Sequence, residues 1–136
     1  MESQPLWEYP NHAVSSPLTL ATFEMDMFLK DVLATDSGVE KQTSAEFKLP
    51  TKKDEQHLEG KLFNGMGFWM DWVYDAETTI STGMQRDSKL GEPVEWNRNF
   101  KQGVFIHNLK SQRSALVRTV VTFNPLNGDV SFGVDV

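Results

Sequence analysis

The sequence predicts an α+β chain dominated by antiparallel strands. The sheet is expected to curl into a half-barrel or sandwich with one N-terminal helix packed on it, and an all-β barrel is the alternative. Three observations carry this. Apolar and polar residues alternate over most of the chain, as half-buried strands require. Turn residues punctuate those runs: Pro50 with Lys52–Asp54, Asn64–Gly65, Asn124–Pro125 and Asn127–Gly128. Only one stretch, residues 18–34, carries helix signals.

The 136 residues suit one domain, and the expected division is an extended arm over 1–17 followed by a single mainly-β domain over 18–136. Pro5, Pro10 and Pro17 keep the arm extended, because proline fixes φ and removes a donor. Trp7 and Tyr9 are too apolar for a free tail and are expected to pin the arm to the body or to a second subunit.

Residues 18–34 read both ways. As a helix, Ser16 is the N-cap, Pro17 sits at N1, and Ala21, Met25, Phe28 and Val32 form a stripe. As a strand, Ala21, Phe23, Met25, Met27 and Leu29 alternate with polar residues. Propensity favours the helix, which is the expected element.

Strands are expected at 43–49, 57–63, 67–75, 77–83, 103–109, 114–123 and 129–136. The final hairpin fixes its own register. A four-residue loop, Pro125–Gly128, opposes Asn124 to Asp129, Phe123 to Val130, Val121 to Phe132, Thr119 to Val134 and Val117 to Val136. One face is then almost wholly apolar, whereas Thr122 meets Ser131 and Arg118 meets Asp135 on the other. A one-residue slip would mix the faces.

An odd-length turn between 57–63 and 67–75 sets Phe68, Met70, Trp72 and Tyr74 inward. It leaves Trp69, Asp71, Val73 and Asp75 outward; an even turn would bury Lys61 and Glu59 without partners. The inward four are read as packed core or as the wall of an apolar pocket, which would need a cavity of roughly 300 Å³ or more.

Charge is uneven. The net charge is −6, with seventeen acids and eight bases in residues 1–97 and two acids and five bases in 98–136. The field opposes duplex nucleic acid, which needs concentrated positive charge. There is no cysteine, which removes disulfides, thiolate metal sites and cysteine nucleophiles. The N-terminal decapeptide MESQPLWEYP has no apolar core of a secretory signal, and no apolar run approaches the ~20 residues that span a bilayer. A soluble, cytoplasmic or intracellular protein without membrane contact is expected.

Catalytic signatures are sparse. His12, His57 and His107 lack metal-ligand spacing, so no metal is expected. No Gly-x-Gly-x-x-Gly, Walker or Gly-x-Ser-x-Gly motif occurs, so no cofactor is expected. His107 is the one candidate acid–base group, between Phe105 and Leu109, and needs a carboxylate to orient it.

The binding candidates are Trp69, Asp71, Trp72, Tyr74 and Trp96: outward Trp69 beside Asp71, with Trp96, would anchor an interface, and the inward Trp72 and Tyr74 would line a pocket. Trp96 lies in the long polar stretch 84–101. The resulting expectation is a non-catalytic protein, of inhibitor or accessory class, that binds a protein partner through an aromatic and acidic surface. The alternative is a small apolar ligand pocket of isomerase or cyclase type. Either a monomer or a homodimer built through the arm fits.

Overall fold

The computed structural model describes residues 2–26, 40–48, 64–106, 116–124 and 127–135. In chain order the elements are β1 (Glu2–Gln4), a 3₁₀ turn (Leu6–Glu8), β2 (Lys41–Lys48), β3 (Gly65–Phe68), β4 (Asp71–Val73), β5 (Thr79–Ser81), β6 (Gln102–Ile106), β7 (Leu116–Phe123) and β8 (Val130–Asp135). All strand pairs are antiparallel. They form three open sheets, β1-β6-β3, β2-β7-β8 and β4-β5, and none closes into a barrel among the described residues.

The antiparallel class is thus as expected. The helix is not confirmed: residues 17–24 run without regular structure, Met25 and Asp26 are helical, and 27–34 lie outside the described residues. The pairing of the 57–63 strand also lies outside them.

The chain divides into two compact units, Met1–Ser16 with Pro50–Gln112 and Pro17–Leu49 with Arg113–Val136. The second unit contains β2-β7-β8. Arg118 opposes Asp135, Thr119 opposes Val134, Val121 opposes Phe132 and Phe123 opposes Val130, the register expected from the face pattern. The apolar face is the buried one: Val117 and Thr119 are fully buried and Val121 is 3% exposed. β2 covers the other edge of β7 by setting Phe47 against Val117 and Ala45 against Thr119.

Thr119 is a polar group in this core. Its hydroxyl donates to the Ala45 carbonyl at 3.2 Å, which offsets the cost of burying it. Phe23 stacks on Phe123 with ring centroids 5.0 Å apart. The turn closes through Asn124 N–H on the Asp129 carbonyl at 2.8 Å, and Gly128 takes a φ of 77° that a side chain would resist. On the outer face Arg118 Nε donates to Glu46 at 2.7 Å; both side chains are largely exposed, so the pair adds little.

The first unit contains β1-β6-β3 and the β4-β5 hairpin. β6 is its central strand, with Phe68 of β3 opposite Gly103 and Gln4 of β1 opposite Gln102. The expected single strand over 67–75 breaks at Trp69–Met70 and resumes as β4. Thr82 holds the break: its hydroxyl accepts from Met70 N–H at 3.0 Å, and its own N–H donates to the Met70 carbonyl at 2.9 Å.

This break overturns the predicted inward face. Phe68 is buried at 6% exposure, but Met70, Trp72 and Tyr74 are exposed. It also overturns the outward placement of Trp69, whose ring lies on Gly83. A Cβ built at Gly83 would stand 2.1 Å from Trp69 Cγ, so only glycine leaves that slot open.

Candidate functional site

Two places in the first unit gather the residues picked out in the sequence. The first is built around Trp96, which is 8% exposed. Asn97 N–H donates to the Gly83 carbonyl and Gln85 N–H to the Glu95 carbonyl, which brings residues 95–97 alongside 83–85. Trp96 thereby meets Trp69 edge to face, with centroids 5.7 Å apart and planes at 77°.

The indole N–H of Trp96 donates to Asn11 Oδ1 at 3.0 Å, while Asn11 Nδ2 donates to the Leu6 and Tyr9 carbonyls. Asn11 therefore fixes the N-terminal segment, not Tyr9, which is 53% exposed. Nothing local in the sequence pairs Asn11 with a residue 85 positions away.

Beside this knot lies a cleft of about 350 Å³ lined by Trp7, Gln85, Val94, Glu95, Trp96 and Arg98. It is not the apolar pocket expected behind Trp72. Its lining carries both charge signs, and Arg86 is ion-paired to Glu95. Gln102, 1% exposed, braces the neighbouring backbone: its Nε2 donates to the Thr82 carbonyl at 2.8 Å and to the Phe100 carbonyl at 2.9 Å.

The second place is the β4-β5 hairpin. Trp72 opposes Ile80 and Val73 opposes Thr79. Alternation sets Met70, Trp72, Tyr74 and Ile80 on one face and Asp71, Val73, Thr79 and Ser81 on the other. Trp72, Tyr74 and Ile80 are 43%, 69% and 46% exposed, and Val73 on the opposite face is 72% exposed.

Asp75 makes the turn. Its Oδ1 accepts from Glu77 N–H at 2.9 Å and from Thr78 N–H at 2.7 Å. These bonds favour the charged form, the Glu77 amide most, and hold the carboxyl below its ordinary 3.8. Asp75 is therefore ionised throughout the neutral range, and its acidity comes from its structural task.

The binding candidates accordingly separate. Trp69 and Trp96 pack on each other, whereas Asp71, Trp72 and Tyr74 share the hairpin. His107 lies outside the described residues. Among those residues, no group of three or more acidic or histidine side chains could hold a metal ion. Nor is any described helix long and apolar enough to cross a membrane.

No protein-family model matches the chain. It is similar over nearly its whole length to curated proteins of one name. It is 30% identical over 141 residues to protein arginine N-methyltransferase 7 of Anopheles gambiae, covering 99% of this chain and 18% of that protein. The counterpart in Drosophila pseudoobscura pseudoobscura is 30% identical over 143 residues, covering 98% of this chain and 17% of that protein. That of Rattus norvegicus is 28% identical over 136 residues, covering 96% and 18%. The chain thus spans less than a fifth of the length of these relatives.

These relatives overturn the expectation of a non-catalytic inhibitor or accessory protein, since all are named as enzymes. They also displace the isomerase or cyclase alternative. The lack of a short catalytic motif does not argue against an enzyme, since a segment similar to under a fifth of a longer protein need not contain that protein's motifs.

Proposed function

We propose that this chain is a β-sheet portion of a protein arginine N-methyltransferase and takes part in handling its arginine-bearing substrate. The observation that carries the reading is similarity of 28–30% over 96–99% of the chain to several such enzymes. Similarity that covers nearly the whole chain supports a shared framework rather than one borrowed motif.

Methyl transfer to arginine needs a guanidinium nitrogen aligned with the donor's methyl carbon, a leaving group on the donor, and an acceptor for the nitrogen's proton. The described residues contain neither the glycine-rich strand-to-helix turn nor the parallel strand–helix–strand unit in which nucleotide-like donors sit. They do not fit a methyl-donor site, and on this reading another part of a longer polypeptide holds the donor. What this chain offers is acidic charge: seventeen acids against eight bases in residues 1–97 complement a cationic substrate. An intracellular setting belongs to the same reading and agrees with a chain free of cysteine.

The test uses the full-length polypeptide that carries this chain, an isotopically labelled methyl donor and arginine-rich peptides. Methylarginine recovered after acid hydrolysis is the expected product. Label found only on other residues, or on none, contradicts the reading.

A further inference from the structure

We propose that the β4-β5 hairpin is a docking surface for an arginine-bearing polypeptide segment, with Trp72, Tyr74 and Ile80 taking its apolar and planar groups. The substrate class rests on the arginine-methyltransferase reading. The surface itself is argued from the hairpin.

A two-stranded ribbon is marginal alone and normally gains stability by covering one face. This one is exposed on both: every residue from Met70 to Ile80 is exposed. Trp72 and Ile80 nevertheless oppose each other on one face, with Met70 and Tyr74 at either end of it and Met70 41% exposed. Large side chains massed on one exposed face mark an interaction site, whereas scattered ones do not.

The charge around this face selects the occupant. Residues 70–82 carry Asp71, Asp75 and Glu77 and no base. Asp75 and Glu77 stand at the tip beside Tyr74, and Asp71 flanks Trp72 from the opposite face, so the ribbon as a whole is negative. A guanidinium is planar, weakly hydrated and stacks on Trp or Tyr while donating to carboxylates, so an arginine beside an apolar residue satisfies both features. A purely apolar partner would leave the ribbon's negative charge uncompensated. A lysine-bearing partner would give up the planar stacking.

The test titrates the 136-residue chain with the peptide Gly-Arg-Phe-Gly-Arg-Gly and with the same peptide carrying citrulline for both arginines. Citrulline keeps the planar shape and removes the charge. The arginine peptide is expected to bind, and the citrulline peptide to bind about tenfold more weakly or worse. Trp72→Ala with Tyr74→Ala should weaken binding about tenfold or more, and Tyr74→Phe should restore most of it, since stacking needs the ring. Asp71→Asn with Glu77→Gln should weaken binding and reduce its salt dependence.

Unchanged amide resonances of β6, which lies in the same unit as the hairpin, serve as the folding control in each variant. Equal binding of both peptides, or unchanged binding by the Trp72 and Tyr74 double variant, overturns the proposal. So does concentration-dependent self-association abolished by that double variant, which would make a second copy the occupant. The two readings fail separately. Arginine methylation by the full-length polypeptide with no role for the hairpin removes only the docking surface. Hairpin binding without any methylarginine product removes only the enzyme reading.

Discussion

The β2-β7-β8 sheet and the β4-β5 hairpin arise from similar alternating stretches and end in opposite states. In the sheet, β7 has a strand on each side, and Val117, Thr119 and Val121 are buried. In the hairpin, two strands pair with each other alone among the described residues, and Trp72, Val73, Tyr74 and Ile80 are all exposed. Alternation tells which residues share a face. It does not tell whether anything covers that face: Val117, Thr119 and Val121 are buried, with Phe23 stacked on Phe123 of the same face, whereas in the hairpin large side chains are left available.

The largest expected effect lies in the sheet. Val117→Asp places an unpaired charge where no solvent reaches, and should cost more than about 3 kcal/mol, enough to unfold that unit. Urea denaturation checks it. The same kind of change in the hairpin, Val73→Asp, should move the midpoint little, because that side chain is 72% exposed. Equal costs at the two positions would erase the distinction between the regions.

A middle-sized effect is expected where the hairpin's entry is anchored. Gly83→Ala drives a methyl group into the Trp69 ring and should destabilise the protein by about 1–3 kcal/mol. Tryptophan fluorescence and the thermal midpoint should move together. Leaving both unchanged would mean that the Trp69–Gly83 contact does not hold the strand break.

The smallest effect is electrostatic. The Asp75 carboxyl is depressed below 3.8 by the Glu77 and Thr78 amides. The stability it adds is therefore complete above the ordinary value and is lost as pH falls through the lower folded value. Asp75→Asn should remove that part of the acid dependence. As pH falls below about 5 the parent should lose more thermal stability than the variant. Parallel loss in both would show that Asp75 does not tie the turn.

The sequence disclosed the sheet well because its two faces differ in kind. Sliding β8 by one residue against β7 would set Ser131 and Asp135 among valines, so only one register was acceptable, and the structure adopts it. Around Trp69 the sequence misled. A continuous strand over 67–75 satisfied alternation, but Thr82 bonds both the N–H and the carbonyl of Met70, and Gly83 opens a slot that turns Trp69 inward. Those partners lie twelve or more positions away, and no local periodicity encodes them. Asn11, which receives the Trp96 indole N–H, was invisible for the same reason. The similarity to proteins named as methyltransferases was not legible, because it extends over nearly the whole chain and is not carried by a short motif.

The most direct test of the account is amide hydrogen exchange on the chain with and without the arginine peptide. Slow exchange in β7 under both conditions is predicted, together with fast exchange over Asp71–Ser81 that slows when peptide is added. Peptide-dependent slowing elsewhere, with the hairpin unaffected, would contradict the division into a covered sheet and an open docking hairpin.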